Sequence, residues 1–200
     1  MKVCIINGSP HKNGNTSEVL KPFISRLLEL GACVETIHLC EKKVSPCRGC
    51  YACQNVQNAY GCVQEDDAEE IFRQIGASDL VVFATPIYTW YCTAEMKALM
   101  DRHYGLNKYY GSVTGQLIPK ISVALITTHG YEDDYANEPF EIGIKRWCLH
   151  CHWHYQGRYS VQDIDGMPDM KTPEAIKGAK RFAERLVEKW NVSRETSQVL

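Results

Sequence analysis

The chain has 200 residues, of which 44% are hydrophobic and 23% are charged, and its formal net charge is −2. This length and composition suit a single globular domain over residues 1–200. The near-neutral charge excludes a general basic field, so we expect neither nucleic acid nor a membrane as a partner. No apolar run is long enough for a signal peptide or a membrane span, which predicts a cytoplasmic protein with reduced cysteines.

Short apolar runs alternate with helical patterns along the chain. The apolar runs predict strands at residues 2–7, 34–39, 80–84, 121–127 and 153–159. Patterns of helical period predict helices at residues 21–30, 66–76, 95–103, 140–148 and 173–190. Pro22 places the start of the first helix near Lys21, because proline inside a helix removes a hydrogen bond. The polar segment after Trp190 is expected to be mobile.

The strands are wholly apolar instead of alternating, which predicts a parallel sheet that is covered on both faces. The fold class is therefore α/β, a doubly wound five-stranded parallel sheet with helices on both faces. Ligands of such folds bind outside the carboxyl ends of the strands. Three loops at those ends are the candidate cofactor site.

The first loop, GSPHKNGNTS at residues 8–17, joins the first strand to the first helix. Backbone N–H groups at a helix N-terminus bind a phosphate without a dedicated cation. The loop lacks the G-x-G-x-x-G and Walker patterns, so a mononucleotide phosphate fits better, as in FMN. The alternative is a polar turn with a helix cap. The candidate cofactor-binding residues here are Ser9, His11, Asn13, Asn15, Thr16 and Ser17.

The second loop, TPIYTWY at residues 85–91, follows the third strand. Pro86 fixes the chain, and Tyr88, Trp90 and Tyr91 offer the flat apolar surface that a flavin ring needs. Packing of these aromatic side chains in the core is the alternative. At the carboxyl end of a strand, we expect some of them to face the cofactor.

The third loop, TTHGYEDD at residues 127–134, follows the fourth strand. Gly130 permits close approach of the backbone to a ligand, because it has no side chain. His129 could reach a flavin ring from this loop. A purely structural histidine is the alternative.

Four of the ten cysteines follow the second strand, in CRGCYACQNVQNAYGC. The spacing C-x2-C-x2-C-x8-C allows four thiolates to surround a 4Fe-4S cluster, because each tight turn brings neighbouring sulfurs together. Zinc in a tetrahedral sulfur site is the second interpretation, and redox-active or inert thiols are the third. The candidate metal ligands are Cys47, Cys50, Cys53 and Cys62.

A second group of metal-ligating residue types occurs in CLHCHWH, residues 148–154. On a strand, its three alternating histidines would share one face. The segment lies away from the three loops, so we expect packing and surface exposure here instead of a metal site. The connection containing NKYYG, residues 107–111, is long enough to cover a cofactor or to contact another subunit.

Five motifs occur together in one order: GSP-x3-GNTS, C-x-GC-x2-C, DD before the second helix, ATPIY with KALMDR after it, and TTHG. Over residues 1–165 this order resembles the flavodoxin-like NAD(P)H-dependent FMN reductases, and within them the iron–sulfur flavoprotein branch. The resemblance implies the strand order 2-1-3-4-5, FMN in the three loops, and homodimers or homotetramers with the flavin near a subunit interface. The eight-residue gap before Cys62 is longer than the compact cysteine pattern usual in that branch.

The resemblance also assigns roles residue by residue. The phosphate contacts fall on Ser9, Asn15, Thr16 and Ser17. The ring contacts fall on Pro86, Ile87, Tyr88, Thr89, Trp90, Thr128, His129 and Gly130.

The expected function is that of an FMN-dependent oxidoreductase that takes electrons from NAD(P)H and passes them to a small-molecule or protein acceptor. Because the cofactor performs the chemistry, no residue is assigned as a general acid or nucleophile. The alternative is an iron–sulfur electron carrier that exchanges electrons with a ferredoxin-like partner. A third interpretation is a non-catalytic flavin-binding regulator.

Overall fold

The computed structural model describes residues 1–118 and 120–198. Its strands are β1 (Lys2–Asn7), β2 (Cys33–His38), β3 (Leu80–Pro86), β4 (Asn107–Lys108), β5 (Gly115–Gln116), β6 (Ser122–His129) and β7 (His154–Gln162). Five of them form a sheet in the order β2-β1-β3-β6-β7, and every neighbouring pair is parallel. This order confirms the doubly wound α/β fold class and the arrangement 2-1-3-4-5 of the five expected strands.

The helices cover both faces of the sheet and are α1 (Asn15–Glu29), α2 (Ala68–Gly76), α3 (Ala94–Asp101), α4 (Asp133–His150) and α5 (Pro173–Gln198). On one face α1 packs on α5, where the rings of Phe23 and Phe182 lie 5.8 Å apart. The other face carries the core around Phe72, Met96 and Phe140. Burial on both faces explains why the central strands are apolar throughout.

The strand order reverses direction at β1, which lies between β2 and β3. Ile5 pairs with Thr36 on one side and with Val82 on the other. The chain crosses from β1 to β2 through α1 on one face and from β2 to β3 through α2 on the opposite face. The loops after β1 and β3 therefore diverge, which opens a crevice at the carboxyl end of the sheet.

The start of α1 differs from the prediction. The helix begins at Asn15 instead of near Lys21, and it continues through Pro22. Its buried face includes Phe23 and Leu27. Burial of such side chains contributes about 1.5–3 kcal/mol each, which offsets the backbone hydrogen bond that the proline cannot make.

Two later helices also have different limits. α4 begins at Asp133 instead of at residue 140, and its first turn is acidic, which the helix dipole favours. α5 extends beyond Trp190 to Gln198, and the mobility of the segment after Trp190 stays a prediction. Among the helices of the described ranges, none is both long enough and apolar enough to cross a bilayer.

The connection between α3 and β6 contains the antiparallel hairpin of β4 and β5, which no sequence pattern indicated. Each strand has only two residues, too few to show a period of two. The hairpin packs beside the segment that contains the four candidate cysteines, since Gln54 of that segment bonds the backbone of Asn107 and Tyr109.

Candidate functional site

The loops after β1, β3 and β6 surround one cavity of about 240 Å³. It is lined by Ser9, His11, Gly14, Asn15, Thr16, Pro86, Ile87, Tyr88, Thr128, His129, Gly130 and Asp163. An adjoining cavity of about 200 Å³ is lined by Ile87, Thr89, Trp90, His129, Gly130, Tyr131 and Ala136. We call the two together the loop cavity. Every candidate residue of the three loops except Asn13, Ser17 and Tyr91 lines it.

The N-terminus of α1 contributes to the wall of the loop cavity. Gly14 is the residue before the helix, and no side chain caps the helix there. The first backbone N–H groups of a helix have no acceptor within the helix. Because Gly14, Asn15 and Thr16 all line the cavity, this end of α1 presents uncapped donors where an anion can bind.

The end of β1 is fixed against the start of α3. Thr93 donates its hydroxyl hydrogen to the carbonyl of Gly8 at 2.6 Å and accepts from the backbone N–H of Met96 at 3.3 Å. A Cβ atom on Gly8 would lie 2.8 Å from Cε of Met96. Only glycine therefore allows the first loop to leave the sheet this close to α3.

Two side-chain contacts join the first loop to the segments beside it. The hydroxyl oxygens of Thr16 and Thr128 lie 3.0 Å apart. Asn15 donates from Nδ2 to Oδ2 of Asp163 at 2.6 Å, and the backbone N–H of Asp163 donates to the carbonyl of His129 at 2.7 Å. The loops after β1 and β6 and the segment after β7 thus form one connected wall.

Ser17 and Asn13 do not reach the loop cavity. Ser17 accepts from Nδ2 of Asn7 at 3.0 Å and donates to the carbonyl of Lys12 at 2.6 Å, so its hydroxyl holds the loop in shape. The backbone N–H of Ser9 donates to Oδ1 of the same Asn7 at 2.9 Å. Asn13 is exposed. A phosphate role for the side chain of Ser17, and any cofactor role for Asn13, therefore lack support in the geometry.

The second loop contains a tight turn in an unusual backbone conformation. Tyr88 and Tyr91 exchange two backbone hydrogen bonds, of 2.9 and 3.0 Å, around Thr89 and Trp90. Both central residues are left-handed, with φ of 51° and 60°. Turns of this type normally contain asparagine and glycine. A bulky residue in this region costs on the order of 1–3 kcal/mol, and such strain concentrates at functional sites.

The turn directs Trp90 toward the third loop. Its ring stacks on Tyr131 with centroids 5.8 Å apart and planes 6° from parallel. The indole Nε1 is buried and has no hydrogen-bond acceptor in the described part of the chain. Tyr91 instead packs edge-on against Phe140 at 5.1 Å in the core, as the alternative interpretation expected for some of these aromatic residues.

His129 also has a buried ring nitrogen with no hydrogen bond. Its Nδ1 lies 2.8 Å from the carbonyl of Tyr131. A carbonyl only accepts, so Nδ1 carries a hydrogen. Nε2 lies 3.2 Å from Oδ1 of Asp133 without making a hydrogen bond. Burial raises the pKa of Asp133, but hydrogen bonds from Arg158 and Ser160 outweigh it and hold that pKa below its usual range.

The four candidate cysteines share a second cavity, of about 320 Å³, which we call the cysteine cavity. Its lining consists of Cys47, Arg48, Gly49, Cys50, Tyr51, Cys53, Gln54, Cys62, Gln64, Tyr104 and Tyr110. The first two of the four cysteines are exposed and the last two are half-buried. Cys62 therefore lines the same cavity as the other three cysteines, despite the eight-residue gap before it.

One buried side chain holds the wall of the cysteine cavity. Gln54 is 1% exposed. It donates from Nε2 to the carbonyls of Tyr104, at 2.5 Å, and Asn107, at 2.9 Å. Its Oε1 accepts from the backbone N–H groups of Tyr109 and Tyr110 at 2.8 and 3.1 Å. The long connection after α3 is thereby attached to the cysteine segment, not to the loop cavity.

The four thiols suit a cluster as a donor set, since all are soft sulfur ligands that line one cavity. Within residues 1–118 and 120–198, no three His, Cys, Asp or Glu residues are arranged around a single metal ion. Zinc requires four ligand atoms, with sulfurs about 2.3 Å from one point. The structure therefore contains a cavity lined with thiols instead of a preformed single-ion site.

The later group CLHCHWH has buried cysteines and exposed histidines. Cys148 and Cys151 lie at the end of α4, are buried, and have pKa values raised to about 12 by burial. The expected alternation of histidines on a strand is absent from this segment, because α4 continues to His150 and β7 begins only at His154.

Comparison with known proteins agrees with this arrangement. The model of the NADPH-dependent FMN reductase family matches residues 1–131. An iron–sulfur flavoprotein of Archaeoglobus fulgidus is 35% identical to this chain, over 94% of both chains. The chain belongs to the iron–sulfur flavoproteins of the FMN reductase family.

Other relatives match this chain over only part of their length. A second iron–sulfur flavoprotein of Archaeoglobus fulgidus is 40% identical over 56% of this chain, and the chain spans 53% of that relative. Among solved structures, RosB with a bound 8-demethyl-8-formylriboflavin-5'-phosphate intermediate has a TM-score of 0.76 at 13% identity. That alignment covers 98% of this chain and 81% of RosB, and it shows a shared fold.

Three residues of this chain belong to the two cavities or their walls although the motifs did not indicate them. Asp163 is the first residue after β7. The rule that ligands bind outside the carboxyl ends of the strands would therefore also have selected it. Asn7 is the last residue of β1 and the one amide in an otherwise mostly apolar strand, so the sequence could have indicated it. Gln54 lies between Cys53 and Cys62 and has no signal of its own in the sequence.

Proposed function

We propose that this flavoprotein holds FMN in the loop cavity, accepts electrons from NAD(P)H and passes them to a small-molecule or protein acceptor. The convergence of three loops on one cavity at the N-terminus of α1 carries this proposal. The family description, an NADPH-dependent FMN reductase, supports the nicotinamide donor. FMN supplies the acceptance of hydride and the onward transfer of electrons, while the chain binds and orients the partners.

The phosphate of FMN is assigned to the end of α1. The backbone N–H groups of the first turn and the hydroxyls of Ser9, Thr16 and Thr128 are the donors there. No lysine or arginine is among the residues described as lining the loop cavity. The negative charge is therefore balanced by oriented N–H groups and hydroxyls, which a helix N-terminus can do without a cation.

The flavin ring is assigned to the second and third loops. The pyrimidine edge of a flavin has both carbonyl acceptors and an N–H donor. Two buried nitrogens of the described residues make no hydrogen bond, Nε1 of Trp90, which is a donor, and Nε2 of His129. Contacts with this edge would satisfy groups whose burial without hydrogen bonds is costly.

The phosphate assignment is tested by titrating apoprotein with FMN and riboflavin and following flavin fluorescence. FMN should bind at least about tenfold more tightly than riboflavin, because riboflavin lacks the phosphate. A factor of ten in affinity corresponds to about 1.4 kcal/mol. Equal affinity for both flavins would contradict the assignment of the phosphate to the end of α1. Anaerobic mixing of the FMN-loaded protein with NADH and NADPH tests the donor, since bleaching of the flavin absorbance reports its reduction.

We further propose that Cys47, Cys50, Cys53 and Cys62 hold a 4Fe-4S cluster in the cysteine cavity. The shared cavity and the sulfur donor set support this, and the iron–sulfur name of the relatives agrees with it. The alternative function, an electron carrier for a ferredoxin-like protein, is favoured by the exposure of Cys47 and Cys50 at the surface. Steady oxidation of NAD(P)H with a small acceptor supports the enzyme, whereas reduction only by a ferredoxin-like donor supports the carrier.

We propose that the protein is a homodimer or homotetramer with subunit contacts beside the loop cavity. Tyr131 and Tyr135 are 63% and 61% exposed, and both contact Trp90. Exposed aromatic side chains grouped in this way mark interaction surfaces. Sedimentation equilibrium of wild type and of Tyr135→Lys tests the proposal, and a monomeric wild type at micromolar concentration would contradict it.

The ten unpaired cysteines support a reducing, cytoplasmic location.

A further inference from the structure

The hairpin beside the cysteine cavity contains a buried lysine. Lys108 in β4 is 2% exposed. Its ammonium group donates to three backbone carbonyls, those of Cys53 at 2.8 Å, Tyr60 at 3.0 Å and Gly105 at 2.6 Å. All three donors are thus used, but every acceptor is neutral. Lysine is rarely buried to this degree unless it is paired with an opposite charge.

The other buried cation of this region shows the usual arrangement. Arg102 bonds Asp66 through two hydrogen bonds of 2.7 and 3.1 Å, and both side chains are nearly inaccessible to solvent. Among the residues that the structure describes, no carboxylate forms an ion pair with Lys108. One of its three acceptors is instead the carbonyl of Cys53, a proposed ligand, and a second is the carbonyl of Tyr60, two residues before the proposed ligand Cys62.

We infer that Lys108 is the counter-charge for the anionic group that the four cysteines hold, and that it raises the potential at which this group is reduced. The inference rests on the proposed cluster. One added electron makes a cluster with four thiolate ligands more negative by one unit. A fixed positive charge stabilises the reduced form more than the oxidised form, and burial strengthens this effect because the local dielectric constant is low.

Lys108 is therefore a positioning and tuning residue, and it is not itself a ligand. Its three hydrogen bonds also join Cys53, Tyr60 and Gly105, which keeps the segment between Cys53 and Cys62 folded against the hairpin. A test must separate the charge from these hydrogen bonds. Lys108→Gln removes the charge and keeps an N–H donor, whereas Lys108→Arg keeps the charge. Lys177→Gln, on the exposed surface of α5, is the matched control.

The experiment is an anaerobic titration of the iron-loaded, FMN-bound protein with dithionite, which donates electrons and is oxidised to sulfite. The midpoint potential of the cluster is read by EPR, and bound FMN and the melting temperature report the fold. Lys108→Gln should be reduced at a more negative potential, by about tenfold in the equilibrium, which is about 59 mV for one electron. Lys108→Arg and Lys177→Gln should keep the wild-type potential.

Several outcomes would overturn the inference. A Lys108→Gln protein with full iron, bound FMN and the wild-type potential would show that the charge has no effect on the cluster. Loss of iron in Lys108→Gln and in Lys108→Arg alike, with a lowered melting temperature, would make the lysine purely structural. Loss of iron in Lys108→Gln alone, with FMN still bound, would support the counter-charge. Wild-type protein that takes up no iron would refute the proposed cluster and this inference with it, and the FMN proposal would stand.

Discussion

The hydroxyl of Thr16 in the first turn of α1 lies 3.0 Å from the hydroxyl of Thr128 near the end of β6. These residues are far apart in the sequence, and both are buried. Their contact closes the side of the loop cavity to which we assign the phosphate, where one loop contributes helix N–H groups and the other contributes a strand end. A charge introduced at this contact, or the loss of one hydroxyl, should weaken FMN binding more than it destabilises the fold.

Replacement of Thr16 by glutamate should weaken FMN binding by at least about a hundredfold, because two like charges about 4 Å apart at a partly buried site repel by about 4 kcal/mol. Thr16→Val, which removes only the hydroxyl, should cost about 0.5–1.5 kcal/mol of binding. Isothermal titration of apoprotein with FMN measures both. Thr114→Glu, on the exposed hairpin, is the control for added charge. Unchanged affinity in Thr16→Glu would contradict the assignment of the phosphate to α1.

Replacement of Trp90 by alanine should weaken FMN binding or change FMN fluorescence, because Trp90 lines the loop cavity and its buried Nε1 has no acceptor among the described residues. Flavin fluorescence and the melting temperature are measured together. Trp190→Ala, in the distant part of α5, should leave the flavin signal unchanged. A core tryptophan would instead cost about 3–5 kcal/mol of folding free energy. That loss, with normal flavin fluorescence, would remove Trp90 from the site.

Replacement of any one of the four cavity cysteines by serine should lower the iron content of anaerobically reconstituted protein, while FMN stays bound through other loops. Wild type should contain about four irons and four sulfides per chain for a 4Fe-4S cluster. Cys62→Ser is the most informative variant because of the long gap before it. Cys33→Ser, exposed on β2, is the control. Full iron in Cys62→Ser beside depleted iron in Cys50→Ser would place the fourth ligand elsewhere.

Replacement of Asp66 by asparagine should destabilise the protein by about 3–5 kcal/mol at pH 7, because it leaves the buried guanidinium of Arg102 without its partner. Asp101→Asn breaks an exposed pair with Lys97 and should cost less than about 1 kcal/mol. Urea unfolding measures both. A loss of less than about 1 kcal/mol in Asp66→Asn would show that this buried pair contributes little to the stability of the fold.

The same pair predicts a pH dependence. Burial raises the pKa of Asp66, but hydrogen bonds from Arg102, Ser45 and Ala68 outweigh it and hold that pKa below its usual value. A lowered pKa in the folded state contributes stability above the unfolded pKa, which is about 3.9 for aspartate. This contribution is lost as the pH falls through the folded pKa. The stability difference between wild type and Asp66→Asn should therefore shrink below about pH 4.

Local patterns in the sequence determined the sheet, the three loops and the four cysteines. A buried strand such as residues 80–84 can be read because it is wholly apolar, and a loop after such a strand lies at a known edge of the sheet. The positions of Ser9, Pro86 and Gly130 in the loop cavity follow from that rule. The spacing of the four cysteines also indicated a shared site, and the structure brings all four to one cavity.

Tertiary structure alone decided what depends on partners far away in the sequence. Ser17 turned inward to Asn7 and Lys12, because the loop needed its own hydrogen bonds satisfied. Lys108 has the sequence context of an ordinary surface lysine, yet two carbonyls of the cysteine segment and the carbonyl of Gly105 surround its ammonium group. Periodicity and motif spacing describe only neighbours along the chain. A buried charge is defined by the groups that the folded chain places around it, and for Lys108 those groups come from as far as 55 residues away.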